Sequence, residues 1–189
     1  IAIGSNLPKN LLDLDNTVEK NISLLADAKN TTPDNLTACL LKRDRHKNII
    51  DSLNKMNVKI KFITDGDVSG VIYVVDKSSP VDIYLGIGGG PEGVLAASAL
   101  SCLDGQIQTR LVLDEEQIIK AKLLGIKDLK KKYNIDEIIR GDTIFCASGI
   151  TDGDLLKGIV DKGDTFEVST YVLHKNSRMN KKVTNVHKK

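Results

Sequence analysis

The sequence predicts an α/β fold, and three observations lead to this prediction. Short apolar, strand-like runs alternate with helix-like segments over most of the chain. Polar or glycine-rich loops follow several of these runs, where layered α/β proteins carry their ligand-binding loops. Residues 165–187 form two alternating runs joined by a polar turn, which is typical of a β-hairpin. We therefore expect layers of helices and strands, followed by a hairpin at the carboxyl end.

The periodicity of apolar residues sets the order of the predicted elements. Asp15 is expected to cap the first helix, and Ile49, Ile50 and Leu53 are expected to face inward from the second. The predicted order is strand 1–7, helix 16–28, strand 36–41, helix 44–56, strand 58–63, helix 68–75, strand 82–87, helix 91–103, strand 106–111, helix 115–124, helix 127–133 and strand 142–147.

The composition is that of a globular protein and disfavours several functional classes. Of 189 residues, 41% are hydrophobic and 28% are charged, which suits one domain or a little more. A net charge of +2 and the absence of Trp argue against a nucleic-acid binder. No apolar run reaches the ~20 residues of a membrane span, so no membrane partner is expected. Cys39, Cys102 and Cys146 lack metal-ligand spacing and are predicted to be buried, reduced thiols of a cytoplasmic protein.

The first motif with chemical potential is Arg43-Asp44-Arg45-His46, between a predicted strand and a predicted helix. Two guanidinium groups two residues apart can converge on one phosphate, because each offers planar, multidentate donors. The amino end of the following helix would add backbone N–H groups. The alternative is a solvated, charged turn at the start of a surface helix.

The second motif, Thr64-Asp65-Gly66-Asp67, also lies between a strand and a helix. Two carboxylates beside a glycine can bind a hard cation or accept hydrogen bonds from sugar hydroxyls. Helix capping by an aspartate is the alternative interpretation. Residues 147–154 (Ala-Ser-Gly-Ile-Thr-Asp-Gly-Asp) form a comparable loop, for which a capped turn and a backbone-lined site both remain open.

The glycine-rich segment, residues 86–93, is the most informative part of the sequence. Its glycines permit backbone N–H groups to approach a ligand closely, and Pro91 fits the first turn of a helix. The segment lacks the Gly-Lys-Ser/Thr ending of a Walker loop and the acidic partner of a dinucleotide fingerprint. A tight strand-to-helix turn is the alternative, but five glycines in eight residues exceed what a turn requires. No Ser-His-Asp or Cys-His grouping is apparent in the sequence, so a nucleophilic hydrolase is not predicted.

In this order and spacing, the segments resemble the class II fructose-1,6-bisphosphatase family of the GlpX type. The likeness covers nearly the whole chain. Its most specific blocks are the Gly-Pro-Glu-Gly and Asp-Gly-Asp segments, and residues 43–46, 79–82 and 147–153 also match. The resemblance implies a layered α–β sandwich of the metal-dependent sugar phosphatase type. Residues 1–189 would be the C-terminal, substrate-binding part of a two-domain phosphatase.

The resemblance also implies a role for individual residues. Contacts to sugar bisphosphate are expected from Arg43, Asp44, Arg45, Asp65, Gly66, Asp67 and Gly89, with Asp44 contributing backbone contacts only. Glu92 is expected to be a ligand of Mn²⁺ or Mg²⁺. The other metal carboxylates and a water-activating threonine lie in an N-terminal region of the family that nothing here matches. The catalytic residues are therefore expected upstream of Ile1.

The function that the resemblance implies is hydrolysis of the 1-phosphate of fructose 1,6-bisphosphate in gluconeogenesis. The expected partners are the sugar bisphosphate, the missing N-terminal region of the same protein and further copies in a homo-oligomer. Three alternatives stay open: a bisphosphatase that also accepts sedoheptulose 1,7-bisphosphate, a non-catalytic sugar-phosphate binding module, and a purely structural α/β domain.

Overall fold

A computed structural model describes all 189 residues as two β-sheets with helices packed against them. The six α-helices are α1 (Val18–Ala28), α2 (Lys47–Lys55), α3 (Asp67–Ile72), α4 (Gly90–Cys102), α5 (Glu115–Leu123) and α6 (Ile135–Ile138). The ten strands are β1 (Ala2–Ile3), β2 (Thr37–Leu41), β3 (Lys59–Ile63), β4 (Ile83–Tyr84), β5 (Gln106–Arg110), β6 (Lys132–Asn134), β7 (Ile144–Ser148), β8 (Val160–Asp161), β9 (Thr165–His174) and β10 (Met179–Lys188).

The first sheet has six strands in the order β3-β2-β4-β1-β5-β6. Strand β2 is hydrogen-bonded on both sides to parallel neighbours, with Leu41 opposite Ile63 of β3 and Cys39 opposite Tyr84 of β4. The remaining pairs of this sheet are antiparallel. Because parallel strands end at the same edge, the loops that follow β2, β3 and β4 are neighbours in space.

The second sheet is antiparallel and contains the predicted hairpin. Strands β9 and β10 pair along their whole length, from His174 opposite Met179 to Thr165 opposite Lys188. Strands β7 and β8 pair with the other side of β9. Strand β10 therefore forms one edge of this sheet, and nearly all its residues are exposed.

Helix α4 joins the two sheets into one layered structure. It contacts β5 of the first sheet and both β7 and β9 of the second. Its carboxyl half is buried, and Leu100 lies in one apolar cluster with Phe145 and Leu173 of the second sheet. A second cluster, which includes Leu25, Leu40 and Leu53, lies between α1, α2 and the other side of the first sheet. None of the helices combines the length and the apolar character needed to cross a membrane.

The predicted fold class and the carboxyl-terminal hairpin are confirmed. The helix predicted over residues 127–133 is wrong, because that stretch is a turn followed by β6. The helix begins instead after Asn134, whose backbone N–H donates to the Glu137 carboxylate at 3.1 Å, as in one half of a capping box. A cap of this kind fixes where a short helix starts more strongly than the lysine-rich pattern before it.

The structure also differs from the sequence prediction at the start of two helices, in the length of one strand and in the exposure of one thiol. Thr17, not Asp15, caps α1 by accepting a hydrogen bond from the Lys20 N–H, because the Asp15 carboxylate is bound to Arg110 and Lys132. Helix α2 begins at Lys47, since Asp44–His46 is a 3-10 turn. Strand β4 is only two residues long. Cys146 is exposed, because it points outward from β7, whereas Cys39 and Cys102 are buried as predicted.

The central position of β2 leads to a stability prediction. Leu40 is fully buried in the cluster beneath α1 and α2, so Leu40→Ala should lower the free energy of unfolding by about 2–5 kcal/mol through lost burial and a residual cavity. Urea denaturation followed by circular dichroism measures this change. Leu123→Ala on α5 is the matched control, because Leu123 is 81% exposed, and its effect should stay within about 0.5 kcal/mol. Equal effects of the two substitutions would contradict this placement of the core.

Candidate functional site

A cleft of about 570 Å³ lies at the carboxyl ends of the three parallel strands. Its volume falls within the range of about 300–1,000 Å³ that is typical of small-molecule sites. The loops after β2, β3 and β4 each contribute to its walls, which are formed by Leu41, Arg43, Arg45, Asp65, Gly66, Asp67, Val68, Ile87, Gly88, Gly89 and Glu92. Another cavity, beside β1 and β5, has a volume of only about 30 Å³ and is large enough for about one water molecule.

The cleft brings together seven of the eight residues singled out from the sequence. Asp44 is the exception. It stands exposed in the 3-10 turn between the two arginines and does not line the cleft. The first and last of these residues are more than forty positions apart in the sequence. They converge because β3, β2 and β4 are parallel and end at the same edge of the sheet.

The two arginines are held by main-chain oxygens of neighbouring loops. Arg43 donates from Nη2 to the Thr64 carbonyl at 2.6 Å and from Nη1 to the Lys42 carbonyl at 3.1 Å. Arg45 donates from Nε to the Ile87 carbonyl at 2.7 Å. A guanidinium has five N–H donors, so the two terminal nitrogens of Arg45 keep four donors without a protein partner. The solvated-turn alternative does not explain why both side chains reach across to other loops.

The Asp-Gly-Asp loop turns sharply into α3. Gly66 has a φ of 82°, a left-handed conformation that glycine adopts without steric cost. The Asp65 carboxylate accepts the Gly66 N–H at 2.8 Å. Asp67 is the first residue of α3, where an acidic side chain interacts favourably with the helix dipole. Neither aspartate caps the helix with its side chain, so simple helix capping does not account for the pair.

The glycines of the third loop provide space for carboxylates. None of the glycines from 86 to 93 has a positive φ, so a tight turn does not require them. A Cβ atom at Gly88 would overlap the Asp67 carboxylate, and one at Gly89 would overlap the Glu92 carboxylate. The side chains of Asp67 and Glu92 therefore lie directly against the backbone of the glycine-rich loop. A Cβ at Gly90 would meet nothing within 4 Å.

The charges around the cleft are nearly balanced. Arg43 and Arg45 face three carboxylates, those of Asp65, Asp67 and Glu92. An anionic ligand would thus meet two strong phosphate donors on one side and repulsion from the carboxylates on the other. This arrangement suits a ligand that carries both phosphate and hydroxyl groups, because carboxylates accept hydrogen bonds from hydroxyls.

Tyr84 was not predicted as a site residue, yet its ring lies beneath the cleft. It packs beside Gly70 of α3 and its hydroxyl lies beside Gly86. Burial, and then the negative charge of Asp67, raise the pKa of the Tyr84 phenol. The phenol therefore stays protonated and keeps a hydrogen-bond donor at neutral pH. Only its position at the end of a strand before the glycine-rich loop could have drawn attention to it.

The residues around the cleft do not by themselves form a metal centre. No group of three or more His, Cys, Asp or Glu side chains is placed to hold a metal ion. Divalent cations such as Mg²⁺ require several oxygen ligands in a nearly octahedral arrangement. Three carboxylates line the cleft, but those of Asp65, Asp67 and Glu92 are not gathered around one position, so these side chains supply only part of a coordination sphere.

The loop of residues 147–154 lies outside the cleft and is closed on itself. Gly149 and Gly158 leave no room for a Cβ, because each lies against the backbone of the facing loop segment. Asp152 accepts the Gly158 N–H at 2.9 Å, and Asp154 forms an ion pair with Lys61 of β3. These contacts favour the structural interpretation of this motif.

The structure contains one Ser-His-Asp hydrogen-bonded series that the sequence analysis missed. His174 bonds Asp142 Oδ2 through Nε2 at 2.7 Å and Ser177 Oγ through Nδ1 at 2.8 Å. The hydrogen bond from His174 lowers the pKa of Asp142. Asp142 also accepts the backbone N–H groups of Thr143 and Asn176. These three side chains lie outside the cleft and are largely exposed. Their hydrogen bonds hold the β9–β10 turn against the start of β7.

Comparisons with known proteins match the chain along nearly its whole length. The family model described as bacterial fructose-1,6-bisphosphatase, glpX-encoded, matches residues 1–187. The class 2 fructose-1,6-bisphosphatase of Haemophilus influenzae is 33% identical, and the alignment covers 99% of this chain and 60% of that protein. A class 2 fructose-1,6-bisphosphatase/sedoheptulose 1,7-bisphosphatase of Synechococcus sp. (strain JA-3-3Ab) is 32% identical, over 96% of this chain and 56% of its own length. The chain thus spans about 60% of the length of the relatives it matches.

The close approach of Glu92 to Gly89 generates a structural prediction. Gly89→Ala should displace the Glu92 carboxylate, because the new methyl group would occupy its position. Stability should change little, since the overlapping atoms are the far end of a flexible side chain. Crystal structures of this variant and of the control Gly90→Ala measure the effect, as a Cβ at Gly90 meets nothing within 4 Å. An unmoved Glu92 in Gly89→Ala would contradict the described packing.

Proposed function

Because the chain belongs to the glpX-encoded bacterial fructose-1,6-bisphosphatase family, we propose that its cleft binds the sugar bisphosphate that such a phosphatase hydrolyses. The proposed substrate is fructose 1,6-bisphosphate, which loses its 1-phosphate in gluconeogenesis. The chain would act as the C-terminal, substrate-binding part of a two-domain enzyme. The observation that supports this proposal is the convergence of three loops, with guanidinium groups, carboxylates and glycine backbone on one cleft.

Each loop would have a separate task in binding. The free terminal N–H groups of Arg45, together with Arg43, would bind a phosphate group through charge-assisted hydrogen bonds. Asp65 and Asp67 would accept hydrogen bonds from sugar hydroxyls, with Gly66 permitting their close approach. Gly89 would contact the ligand through its backbone at the amino end of α4, where helix N–H groups favour anions. Asp44 lies outside the lining of the cleft, so any contact that it makes with the ligand would be through its main chain only.

The family is metal-dependent, and we propose Glu92 as one ligand of Mn²⁺ or Mg²⁺. The remaining ligands would be phosphate oxygens of the substrate and residues outside these 189. When bound, such a cation lowers the pKa of a coordinated water and neutralises negative charge on the phosphoryl group. The catalytic residues themselves would lie outside this chain. Glu92 would be held in place by its packing against Gly89.

Two further aspects of the function belong to the same proposal. The cyanobacterial relative is named for both fructose 1,6- and sedoheptulose 1,7-bisphosphate, so the cleft is proposed to accept either sugar. The whole enzyme is proposed to be a cytoplasmic homo-oligomer. A non-catalytic sugar-phosphate binding module remains the second candidate, favoured by the lack of a complete metal centre within the chain.

Binding of fructose 1,6-bisphosphate by this chain tests the proposal directly. Isothermal titration calorimetry should detect binding, and Arg45→Ala should weaken it about tenfold to a hundredfold, because charge-assisted hydrogen bonds are worth about 1.5–3 kcal/mol. Arg140→Ala is the matched control, since it removes the same charge from an exposed position outside the cleft. Equal effects of the two substitutions, or no binding by the unmodified chain, would refute the proposed site.

A second experiment separates binding from catalysis. With Mn²⁺ present, the 189-residue chain should release no phosphate from fructose 1,6-bisphosphate, because it supplies too few ligands for a metal centre. A colorimetric phosphate assay on a preparation whose mass matches the sequence measures this. Metal-dependent turnover that is lost in Glu92→Gln would show instead that the chain carries a sufficient active site.

A further inference from the structure

His46 is a fully buried histidine between two loops of the cleft. Its exposure is 0%, and it is one of only three buried polar or charged residues in the protein. It ends the 3-10 turn that carries Asp44 and Arg45, and it directly precedes α2. Buried polar groups are retained at a cost unless their hydrogen bonds are satisfied, so the partners of the ring nitrogens are informative.

The two ring nitrogens of His46 bond to main-chain groups at the end of β2 and in the loop after β4. The Ile87 N–H donates to Nε2 at 2.9 Å, so Nε2 must carry a lone pair. The proton of the neutral ring then resides on Nδ1, which donates to the Leu41 carbonyl at 2.7 Å. Leu41 is the last residue of β2, and Ile87 begins the approach to the glycines after β4. The ring therefore bridges the loops after two neighbouring strands.

The same residue, Ile87, is also bound by an arginine, through its carbonyl oxygen. The Ile87 carbonyl lies 3.3 Å from Nε2, which has no proton to donate in this tautomer, and it accepts the Arg45 Nε–H at 2.7 Å instead. Both main-chain polar groups of Ile87 are thus occupied by side chains of one short turn. Gly88 and Gly89 follow directly and line the cleft.

We propose that His46 is a positioning residue that fixes the glycine-rich loop against the arginine-bearing turn. Its neutral Nδ1–H tautomer holds Ile87 so that Gly88, Gly89 and the free donors of Arg45 face the same ligand. The assignment of that ligand as a sugar bisphosphate rests on the function proposed above. The role goes beyond filling space, because an apolar side chain would leave the buried Leu41 carbonyl and the partly buried Ile87 N–H without the hydrogen bonds that His46 provides.

Two conservative substitutions separate the two hydrogen bonds. A Gln side chain extends far enough to present an acceptor to the Ile87 N–H, as Nε2 does. An Asn side chain places a donor near the position of Nδ1 and keeps only the bond to Leu41. If the bridge to Ile87 is what matters, His46→Asn should weaken fructose 1,6-bisphosphate binding by about tenfold, whereas His46→Gln should stay within about threefold of the unmodified chain.

The matched control is His174→Asn, which removes a histidine with two side-chain hydrogen bonds at the β9–β10 turn. Binding by this variant should be unchanged. Thermal unfolding of all three variants identifies losses of affinity that merely follow a loss of folding. Calorimetric affinities that are equal for His46→Asn, His46→Gln and the unmodified chain would overturn the proposal.

A measurement on the unmodified chain keeps the proposal testable if the variants fail to fold. The ¹⁵N chemical shifts of the His46 ring distinguish the tautomers, and a hydrogen-bond correlation between the Ile87 amide and Nε2 should be observed by NMR. A ring protonated on Nε2 would overturn the inferred bridge. If the chain binds no sugar bisphosphate, the proposed function fails, while these NMR signals still decide how His46 holds the loop.

Discussion

The cleft depends on the pairing of β2 with a parallel strand on each side. Backbone hydrogen bonds to β3 and β4 place three strand ends at one edge of the sheet. The loops that leave this edge are consequently neighbours, although their motifs are separated in sequence by a helix or more. Contacts between loops then refine this arrangement, with Arg43 bound to Thr64, and Arg45 and His46 bound to Ile87. The ladder brings the loops together, and the side chains fix their final positions.

The positions of the charged side chains in the cleft determine where glycine is required. Three carboxylates and two guanidinium groups share a small space, and two of the carboxylates lie against glycine backbone. Larger residues at those glycines would reduce the loss of backbone conformational entropy on folding, but they would displace the carboxylates. The glycines are therefore required by the positions of Asp67 and Glu92, while Gly66 is required by its left-handed φ. One residue type meets two different physical requirements within a single site.

Much of this organisation follows from the sequence, and the exceptions have identifiable causes. The bounds predicted for β2, β3, α4 and the hairpin agree closely with the structure, because apolar runs of strand length, the Pro at the start of α4 and the polar turn of the hairpin mark where these elements begin and end. The helix predicted over residues 127–133 failed, because its lysine-rich stretch has no apolar face and a capping box lies further along. The residues that line the cleft stand directly after strands, where ligand loops are expected in an α/β fold, so they could be selected from the sequence as candidates. His46 and Tyr84 could not be assigned roles from sequence, because those roles depend on the main chain of distant loops. The Asp142–His174 contact could not be predicted either, since it joins the loop before β7 to the end of β9.

The exposed edge strand β10 has a consequence for the behaviour of the protein in solution. Its ten residues pair with β9 on one side only, so the outer row of backbone donors and acceptors is open to another extended chain. Lys181 and Lys188 are exposed on this strand and place like charges along it, whereas the Lys182 ammonium lies 3.9 Å from the Asp76 carboxylate. Two such edges repel each other when they approach, which opposes the edge-to-edge stacking that leads to aggregation. Exposed lysines on an edge strand such as β10 therefore favour a protein that stays dispersed in solution, a property unrelated to the chemistry of the cleft.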